Sequence, residues 1–580
     1  MKFHAIFWPI AVLVLAAAGA AAFGLYQSAT SVKSHLESAE HALTAFKTAA
    51  TNKQFAQLPG IAATVEHESD AAKAASNTWL WKVGTQVPVL GENLRAVGAV
   101  TDSVQQVSHE VVTPAASLLG DFTLARDPAT GKFNLDIVRK ARTLLGTTER
   151  VVGDVQARLA GVNTKATVGQ VSQGVDRVRK LVDEASEMVP GLNNALNVVA
   201  DLIGANGPRN VVLAFLNNAE SAPLGGGPAA QALLSVADGK VEITKQVSSG
   251  DFDNRDHPVD APATSDELAL YDEILLAHIN GSLSIPDFPK SAAILRAWWN
   301  RDIGIDPDLV ITLDPIGLAK LLKVTGPVKL ADGTTITSDN VVLETLNQVY
   351  FRYPNGGPAS DAFFGSIAEA IFTRLTNVDY DVWKMADAIS QSANGGSLHI
   401  WAKDSGIQEQ LSKLSAAGIM PTDNAAATSL GIYFRDRSAS KIDTYLHTSA
   451  KVTTNVCKPD APTYTIEVTL KFDIPKGLRL PAYVDSGLYD FYRTEVFLYG
   501  PVGASLTDKS VQEVAIRAPS IVKNDLGRPV VKFTSDQENG DTVVLRATFT
   551  GAPGQYGPTT ARVTPMINTS QVTYETAPCG

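Results

Sequence analysis

Two stretches near the middle of the chain contain residue types that bind phosphate groups or metal ions. The first, LNNAESAPLGGGP, spans residues 216–228 and contains three consecutive glycines, Gly225 to Gly227. A nucleotide-binding loop needs glycines that lead into a helix, because the amino terminus of that helix faces the phosphates. Here Pro228 and a strand-like pattern follow the glycines. The turn is therefore either a structural corner between strands or a backbone turn that faces a ligand.

The second stretch is an acidic run, SGDFDNRDHPVD, at residues 249–260. Carboxylate oxygens are the ligands of hard cations such as Mg²⁺ and Ca²⁺. A calcium loop starting at Asp251 is excluded, since Arg255 and Pro262 occupy the fifth and twelfth positions of its spacing. The run is either a solvated loop or a site for a divalent cation or pyrophosphate. In the second case Mg²⁺ is the candidate cofactor, and the candidate metal ligands are Asp251, Asp253 and Asp256.

No catalytic residue can be assigned from sequence motifs. The chain lacks a G-x-S-x-G nucleophile turn, and its nine histidines are scattered singly. A zinc site is not indicated either, because no ligand set has suitable spacing. The catalytic residues, if there are any, are therefore unknown at this stage.

Charge and cysteine content narrow the class of protein. The net charge of −11 argues against a nucleic-acid partner, because phosphate backbones are bound by clusters of Lys and Arg. The chain has two cysteines, Cys457 and Cys579. In an exported chain they are predicted to form one disulfide; the alternative is two unpaired thiols.

The amino-terminal residues predict a membrane anchor. The run from Ala5 to Tyr26 contains no charged residue, and a helix of this length crosses the roughly 30 Å hydrocarbon core of a bilayer. Lys2 precedes the run, which predicts that the short end stays inside the cell. We therefore expect residues 1–27 to form a single-pass anchor in the cell membrane, with the bulk of the chain extracytoplasmic. The alternatives are a cleaved signal peptide and a buried helix of a soluble domain.

The remaining chain divides into three parts by its hydrophobic pattern. In residues 28–205 apolar positions recur at steps of three, four and seven, which predicts an α-helical stalk or bundle. Strand-like and helix-like runs alternate in residues 206–455, which is typical of an α/β domain. Short alternating strands separated by turn residues in residues 456–580 predict a β-sandwich. The expected fold class is thus multidomain: a transmembrane helix, a helical stalk, an α/β domain and a carboxy-terminal sandwich.

Several sequence blocks together resemble a known family. They are PRNVVLAFLNNAESAPLGGGPAAQALLSVADGKV, SLSIPDFPKSAAILRAWW, DPDLVITLDPIGLAKLLKVTGPVKLADGTTITSDNVVLETLNQVYF and SASKIDTYL. On these blocks the chain is identified as a member of the exported bacterial family called domain of unknown function 4012. Their pattern is in turn distantly similar to the LytR-CpsA-Psr proteins, which move glycopolymers from a polyprenyl-pyrophosphate carrier onto the cell wall.

The resemblance implies a ligand site. In the better-known enzymes arginines grip the pyrophosphate, an acid holds Mg²⁺ and an apolar groove takes the lipid, which suits phosphate chemistry. Where the closer family has an arginine in its Asn-Asn-x-Glu-x-Arg block, this chain has Ala222, so a transferase activity would rest on a degraded motif. The ligand-binding candidates carried over by the resemblance are Asn218, Glu220, Gly225, Gly226, Arg255 and Arg352.

Two functions from different classes are compatible with these features. The first is a cell-envelope protein that binds or processes a cell-wall glycopolymer or its polyprenyl-pyrophosphate carrier. The second is a non-catalytic structural or interaction protein of the cell envelope. They differ in whether the arginine and aspartate candidates meet on one apolar groove, because fold alone does not decide function.

Overall fold

The computed structural model describes residues 4–120, 126–127, 129–254, 257–377, 380–438, 440–458, 460–485, 491–512 and 519–578, with the backbone alone for 4–18 and 512. The chain forms two compact units. The helical unit comprises residues 1–124 and 134–197, and the mixed unit comprises residues 125–133 and 198–580.

Amphipathic helices build the helical unit. Their buried positions follow helical spacing, as in Val151, Val155 and Leu159, so each helix presents one apolar stripe to its neighbours. A π-helical turn at residues 108–112 joins the fourth helix to the fifth. The helices are α1 (His4–Thr51), α2 (Leu58–Ser76), α3 (Trp79–Gly84), α4 (Leu90–Val107), α5 (Thr113–Gly120), α6 (Leu135–Ala160) and α7 (Gly169–Leu202).

The prediction of a transmembrane helix at residues 1–27 is wrong. Among the helices described, none is both long and apolar enough to cross a membrane; the side chains of residues 1–18 lie outside the described part. The end of the apolar run belongs to the helical bundle, because Leu25 packs against the buried side chains of Val32, Trp81 and Leu94. The same finding contradicts three further predictions: the single-pass topology, the membrane as a partner and the location in the cell membrane. The fold is a mixed helical and sheet structure with several sheets.

The mixed unit is built on three five-stranded sheets and one small hairpin. Helices lie between strands of the first sheet in the chain, whereas the last ten strands follow one another almost without helices. The helices are α8 (Ser265–Tyr271), α9 (Ile274–Ala277), α10 (Phe288–Trp298), α11 (Pro315–Thr325), α12 (Val341–Leu343), α13 (Val349–Arg352), α14 (Pro358–Thr376), α15 (Val382–Asn394), α16 (Ser405–Leu411) and α17 (Ala482–Asp485). The strands are β1 (Arg209–Asn217), β2 (Gly227–Ala237), β3 (Lys240–Ser248), β4 (Leu309–Leu313), β5 (Val328–Lys329), β6 (Thr335–Ile336), β7 (Leu398–Ala402), β8 (Thr428–Asp436), β9 (Leu446–Asn455), β10 (Thr463–Phe472), β11 (Tyr492–Tyr499), β12 (Ser505–Gln512), β13 (Ile521–Asp525), β14 (Arg528–Gln537), β15 (Thr542–Thr550), β16 (Thr559–Val563) and β17 (Gln571–Thr576).

The first sheet has the order β3-β2-β1-β4-β7. Strand β1 pairs antiparallel with β2 and parallel with β4, and both of its faces are covered, which explains its continuous apolar run. The dipeptide Asp238-Gly239 is typical of a hairpin turn, and here β2 and β3 pair across it with both residues at positive φ. Helix α11 has Asp314 as its amino-terminal cap and Pro315 as its first residue, and Gly326 caps its carboxyl end.

Two further sheets, β12-β15-β10-β9-β17 and β13-β14-β11-β8-β16, form a β-sandwich. It begins at β8, so its first two strands precede residue 456, where the sequence pattern placed its start. One continuous apolar core includes residues of the first sheet, such as Val211, and of the sandwich, such as Val452 and Tyr464. Cys457, directly after β9, is disulfide-bonded. The one other cysteine of the sequence, Cys579, lies outside the described residues.

The glycine turn between β1 and β2 makes a prediction for stability. A Cβ added to Gly226 would lie 2.2 Å from the carbonyl oxygen of Asn217, so the backbone would have to move. We expect Gly226→Ala to lower the free energy of unfolding by about 1–3 kcal/mol, measured by urea denaturation. Gly250→Ala is the control, since its added Cβ comes no closer than 3.5 Å to a neighbour and should change stability by less than about 0.5 kcal/mol. Equal stability of the two variants would contradict the prediction.

Candidate functional site

A cavity of about 1560 Å³ opens within the mixed unit. Its wall is formed by the carboxyl ends of β1 and β3, helices α8, α9 and α14, and the segment after β8. Part of the lining is apolar and part is charged. The apolar part includes Leu268, Ile274, Leu318, Leu346, Phe364 and Ile367, and the charged part includes Glu220, Asp251, Asp272, Arg435, Arg437 and Lys441.

The structure separates the candidates that the sequence grouped together. Glu220 and Asp251 line the cavity. Arg352 is not among the lining residues; its guanidinium donates to Glu344 Oε2 at 2.8 Å and lies 4.9 Å from the ring centroid of Phe363. Arg255 and Asp256 lie outside the described residues.

Asn218 and the first two glycines hold the turn after β1 in place. The Asn218 side chain is buried and donates to Asp314 Oδ2 at 3.1 Å and to the Pro565 carbonyl oxygen at 3.0 Å. Gly225 has φ of +118°, and Gly226 lies against the backbone of Asn217. These residues therefore serve close packing, and it is Gly227 that reaches the cavity lining.

Of the three candidate metal ligands, the two that the structure describes, Asp251 and Asp253, have different surroundings. Asp251 accepts hydrogen bonds from Ser248 N and Oγ, at 2.7 and 3.1 Å, and thereby caps a short helical turn. Asp253 is exposed beside His257 and does not line the cavity. Among the described residues, the group with metal-ligand chemistry is Glu66, Asp70 and His109 of the helical unit. Of Asp251 and Asp253, it is Asp251 that lines the cavity.

A cationic segment that sequence reasoning missed lines the cavity. We call residues 435–443, which comprise the end of β8 and the residues directly after it, the strap; it carries Arg435, Arg437 and Lys441. Arg435 is buried and donates to Glu495 Oε2 at 2.7 Å. Arg437 is more exposed, and its Nη2 lies 3.2 Å from Asp272 Oδ2. Three basic residues within seven positions after an apolar strand were visible in the sequence, but nothing there indicated that they face a cavity.

Asp272 pairs with both arginines, and its own backbone conformation is strained. Its Oδ2 lies 3.2 Å from Nη2 of Arg435 as well as from Nη2 of Arg437. The residue has φ of +55° and ψ of −172°, a combination that only glycine adopts without strain. Strain of this kind persists where the surrounding contacts fix it, and it is found preferentially at ligand sites.

Lys441 is almost fully enclosed on the strap. Its Nζ contacts a carboxylate oxygen of Glu220 and lies 5.7 and 5.0 Å from the ring centroids of Tyr350 and Tyr483. Its side chain is 11% exposed and Glu220's 21%, so little water reaches the pair. This burial lowers the pKa of Lys441 to about 7, because desolvation disfavours the ammonium form.

Two buried carboxyl groups flank the same lysine along the strap. Burial raises the pKa of Asp436 to about 6. The pKa of Asp443 is raised well above its usual value by burial and by the nearby charge of Asp436. Asp443 Oδ2 accepts from Ser221 N at 2.6 Å, and its Oδ1 contacts the hydroxyl of Tyr492. Three groups with shifted pKa values, Asp436, Lys441 and Asp443, thus lie on one nine-residue strap, a pattern that is common at functional sites.

Comparison with known proteins gives a match between part of the chain and a family model. Residues 206–350, which include β1 to β4 and the glycine turn, match the model of a family described as "Protein of unknown function (DUF4012)". This confirms the resemblance for that segment. No curated protein and no solved structure gives a significant match to the chain.

Asp314, which supports the turn through Asn218, gives a pH prediction. Burial raises its pKa to about 6, above the value near 3.9 of an unfolded chain. Its contribution to stability is present below about pH 4 and is lost as the pH rises through 6, because the folded state binds the proton more tightly. We compare the free energy of unfolding of Asp314→Asn with that of the parent. We expect this difference to favour the variant by about 2–3 kcal/mol more at pH 7 than at pH 4. Urea unfolding at both pH values measures this, and an equal difference at the two pH values would contradict it.

Proposed function

We propose that the cavity of the mixed unit binds the pyrophosphate end of a polyprenyl-linked cell-wall glycan. The observation that carries the proposal is the position of Arg437 and Lys441 on the wall of one large, partly apolar cavity. Arginine forks and lysine ammonium groups are the usual partners of phosphate oxygens. The distant similarity of the sequence blocks to LytR-CpsA-Psr proteins supports a pyrophosphate over other anions.

The size and lining of the cavity support a ligand larger than a metabolite. Small-molecule pockets typically enclose about 300–1,000 Å³, whereas this cavity measures about 1560 Å³. Leu268, Ile274 and Phe364 offer apolar contacts that suit a prenyl chain, at roughly 25 cal/mol per Å² of buried surface. A charged end and an apolar remainder match an amphipathic ligand.

A non-catalytic structural or interaction role is the second candidate. It is favoured by Ala222 at the position of the family's arginine and by Arg352, whose contacts with Glu344 and Phe363 lie off the cavity lining. A transferase site would lose several kcal/mol of transition-state stabilisation without such groups. The proposal is therefore ligand binding, and phosphoglycosyl transfer would have to rely on the strap.

Arg437 and Arg352 form a matched pair for testing the proposal. Their side chains are 31% and 35% exposed, and each pairs with one carboxylate, but only Arg437 lines the cavity. Binding of a short polyprenyl pyrophosphate to the full chain is measured by calorimetry, with and without Mg²⁺. We expect Arg437→Ala to weaken binding about 10- to 100-fold, the value of a charge-assisted hydrogen bond. Arg352→Ala should stay within about twofold of the parent.

Two further ligands identify what is bound. Inorganic pyrophosphate should compete with the polyprenyl pyrophosphate, whereas the corresponding neutral prenol should bind more weakly because it lacks the charged end. The proposal fails if the full chain shows no binding at polyprenyl pyrophosphate concentrations up to about 1 mM. A Kd of that size corresponds to a binding free energy of about −4 kcal/mol. The proposal also fails if both arginine variants weaken binding equally. In either case the structural or interaction role would take precedence.

A further inference from the structure

The environment of Lys441 differs from that of an ordinary surface lysine. The side chain is mostly enclosed, yet it lines the cavity, so a ligand can reach it. The rings of Tyr350 and Tyr483 lie within 6 Å of Nζ and exclude water from it. Enclosure of this kind favours an uncharged amine, which is the form of lysine that acts as a nucleophile.

The groups that face Lys441 from the neighbouring elements define its charge. Glu220 comes from the turn after β1, Tyr350 from α13 and Tyr483 from α17. Asp436 and Asp443 are buried on the strap itself, and burial raises the pKa of both. Because both carboxyl groups hold their protons to higher pH than usual, they supply less negative charge to stabilise an ammonium ion. Glu220 contacts Nζ directly through a carboxylate oxygen.

We propose that Lys441 is a nucleophilic amine site that forms an imine with a carbonyl group, the ligand class being phosphate-bearing aldehydes whose phosphate is held by Arg437. The role of Arg437 as the phosphate contact rests on the proposed function, whereas the reactivity of the amine does not. Arg437 lies two residues after Arg435, the β8 residue that pairs with Glu495. It lines the same cavity as Lys441. The pKa of Lys441, lowered to about 7 by burial, agrees with the geometry.

The chemistry balances with the groups present. The amine nitrogen of Lys441 bonds to the carbonyl carbon, and the oxygen takes a proton to give a carbinolamine. The carbon–oxygen bond then breaks, and the oxygen leaves as water after a second protonation. Glu220, in contact with Nζ, accepts a proton from the nitrogen and returns it to the departing oxygen. No oxidant, reductant or metal ion is required.

Pyridoxal phosphate and pyridoxal are the two probes that test the inference. Each is added to the full chain at pH 7, the imine is reduced with borohydride, and labelled lysines are located by mass spectrometry. An amine of ordinary pKa is almost wholly protonated at pH 7, so we expect Lys441 to be labelled on the order of 100-fold faster than surface lysines. Lysines such as Lys320 and Lys403, in the same sample, serve as internal references.

Variants separate the amine from the phosphate contact. Arg437→Ala should slow labelling of Lys441 by pyridoxal phosphate about tenfold or more and leave labelling by pyridoxal unchanged. Arg352→Ala, off the cavity lining, should change neither rate. Lys441→Arg should abolish the fast label, because a guanidinium does not form the imine, and it keeps a hydrogen-bond donor beside Glu220.

The outcomes are distinguishable. If Lys441 reacts fast with both probes but Arg437→Ala has no effect, the nucleophilic amine stands and the phosphate contact, with the proposed function, is contradicted. If Lys441 reacts no faster than Lys320 and Lys403, the inference is overturned whatever the ligand of the cavity. The same holds if its labelling rate rises with pH only near 10, as for exposed lysines.

Discussion

Two short backbone segments, the turn after β1 and the strap after β8, are held together by Ser221. Its N–H donates to the buried carboxyl group of Asp443 at 2.6 Å, and its carbonyl oxygen accepts from Asp436 N at 2.9 Å. These two hydrogen bonds bring Glu220 into contact with Lys441. The charged wall of the cavity depends on this junction, because each half alone would leave buried polar groups without partners.

The hydrogen bonds of Ser221 with the strap also explain how much of the site could be predicted from the sequence. Local patterns were sufficient for the β2–β3 hairpin and for α11, since a turn dipeptide and a capped, amphipathic run specify them over a few residues. The charged wall is different. Ser221 and Asp443 are 222 positions apart in the sequence, so no window of the sequence contains both.

The arginines illustrate the same limit at single-residue scale. Arg352 and Arg437 look alike in sequence, each near the end of an apolar run, and the resemblance to a transferase family favoured Arg352. In the structure one packs on Phe363 and pairs with Glu344, whereas the other shares Asp272 with Arg435 on the cavity wall. The wrong prediction of a transmembrane helix at residues 1–27 has a related cause. An apolar stretch can form a helix of a bundle as well as a membrane-spanning helix, and packing such as that of Leu25 against the cluster around Trp81 distinguishes the two.

Strands β16 and β17 return to pair in parallel with β8 and β9, which open the sandwich. The segment between them reaches the first sheet as well, since Thr564 donates to the Pro223 carbonyl oxygen and Pro565 accepts from Asn218. During synthesis on the ribosome, the contacts of Asn218 with Pro565 and of Pro223 with Thr564 therefore form only after more than 300 later residues have been made. Contacts of such long sequence separation form late and slowly. The turn after β1 thus acquires its last hydrogen bonds when the segment between β16 and β17 has left the ribosome.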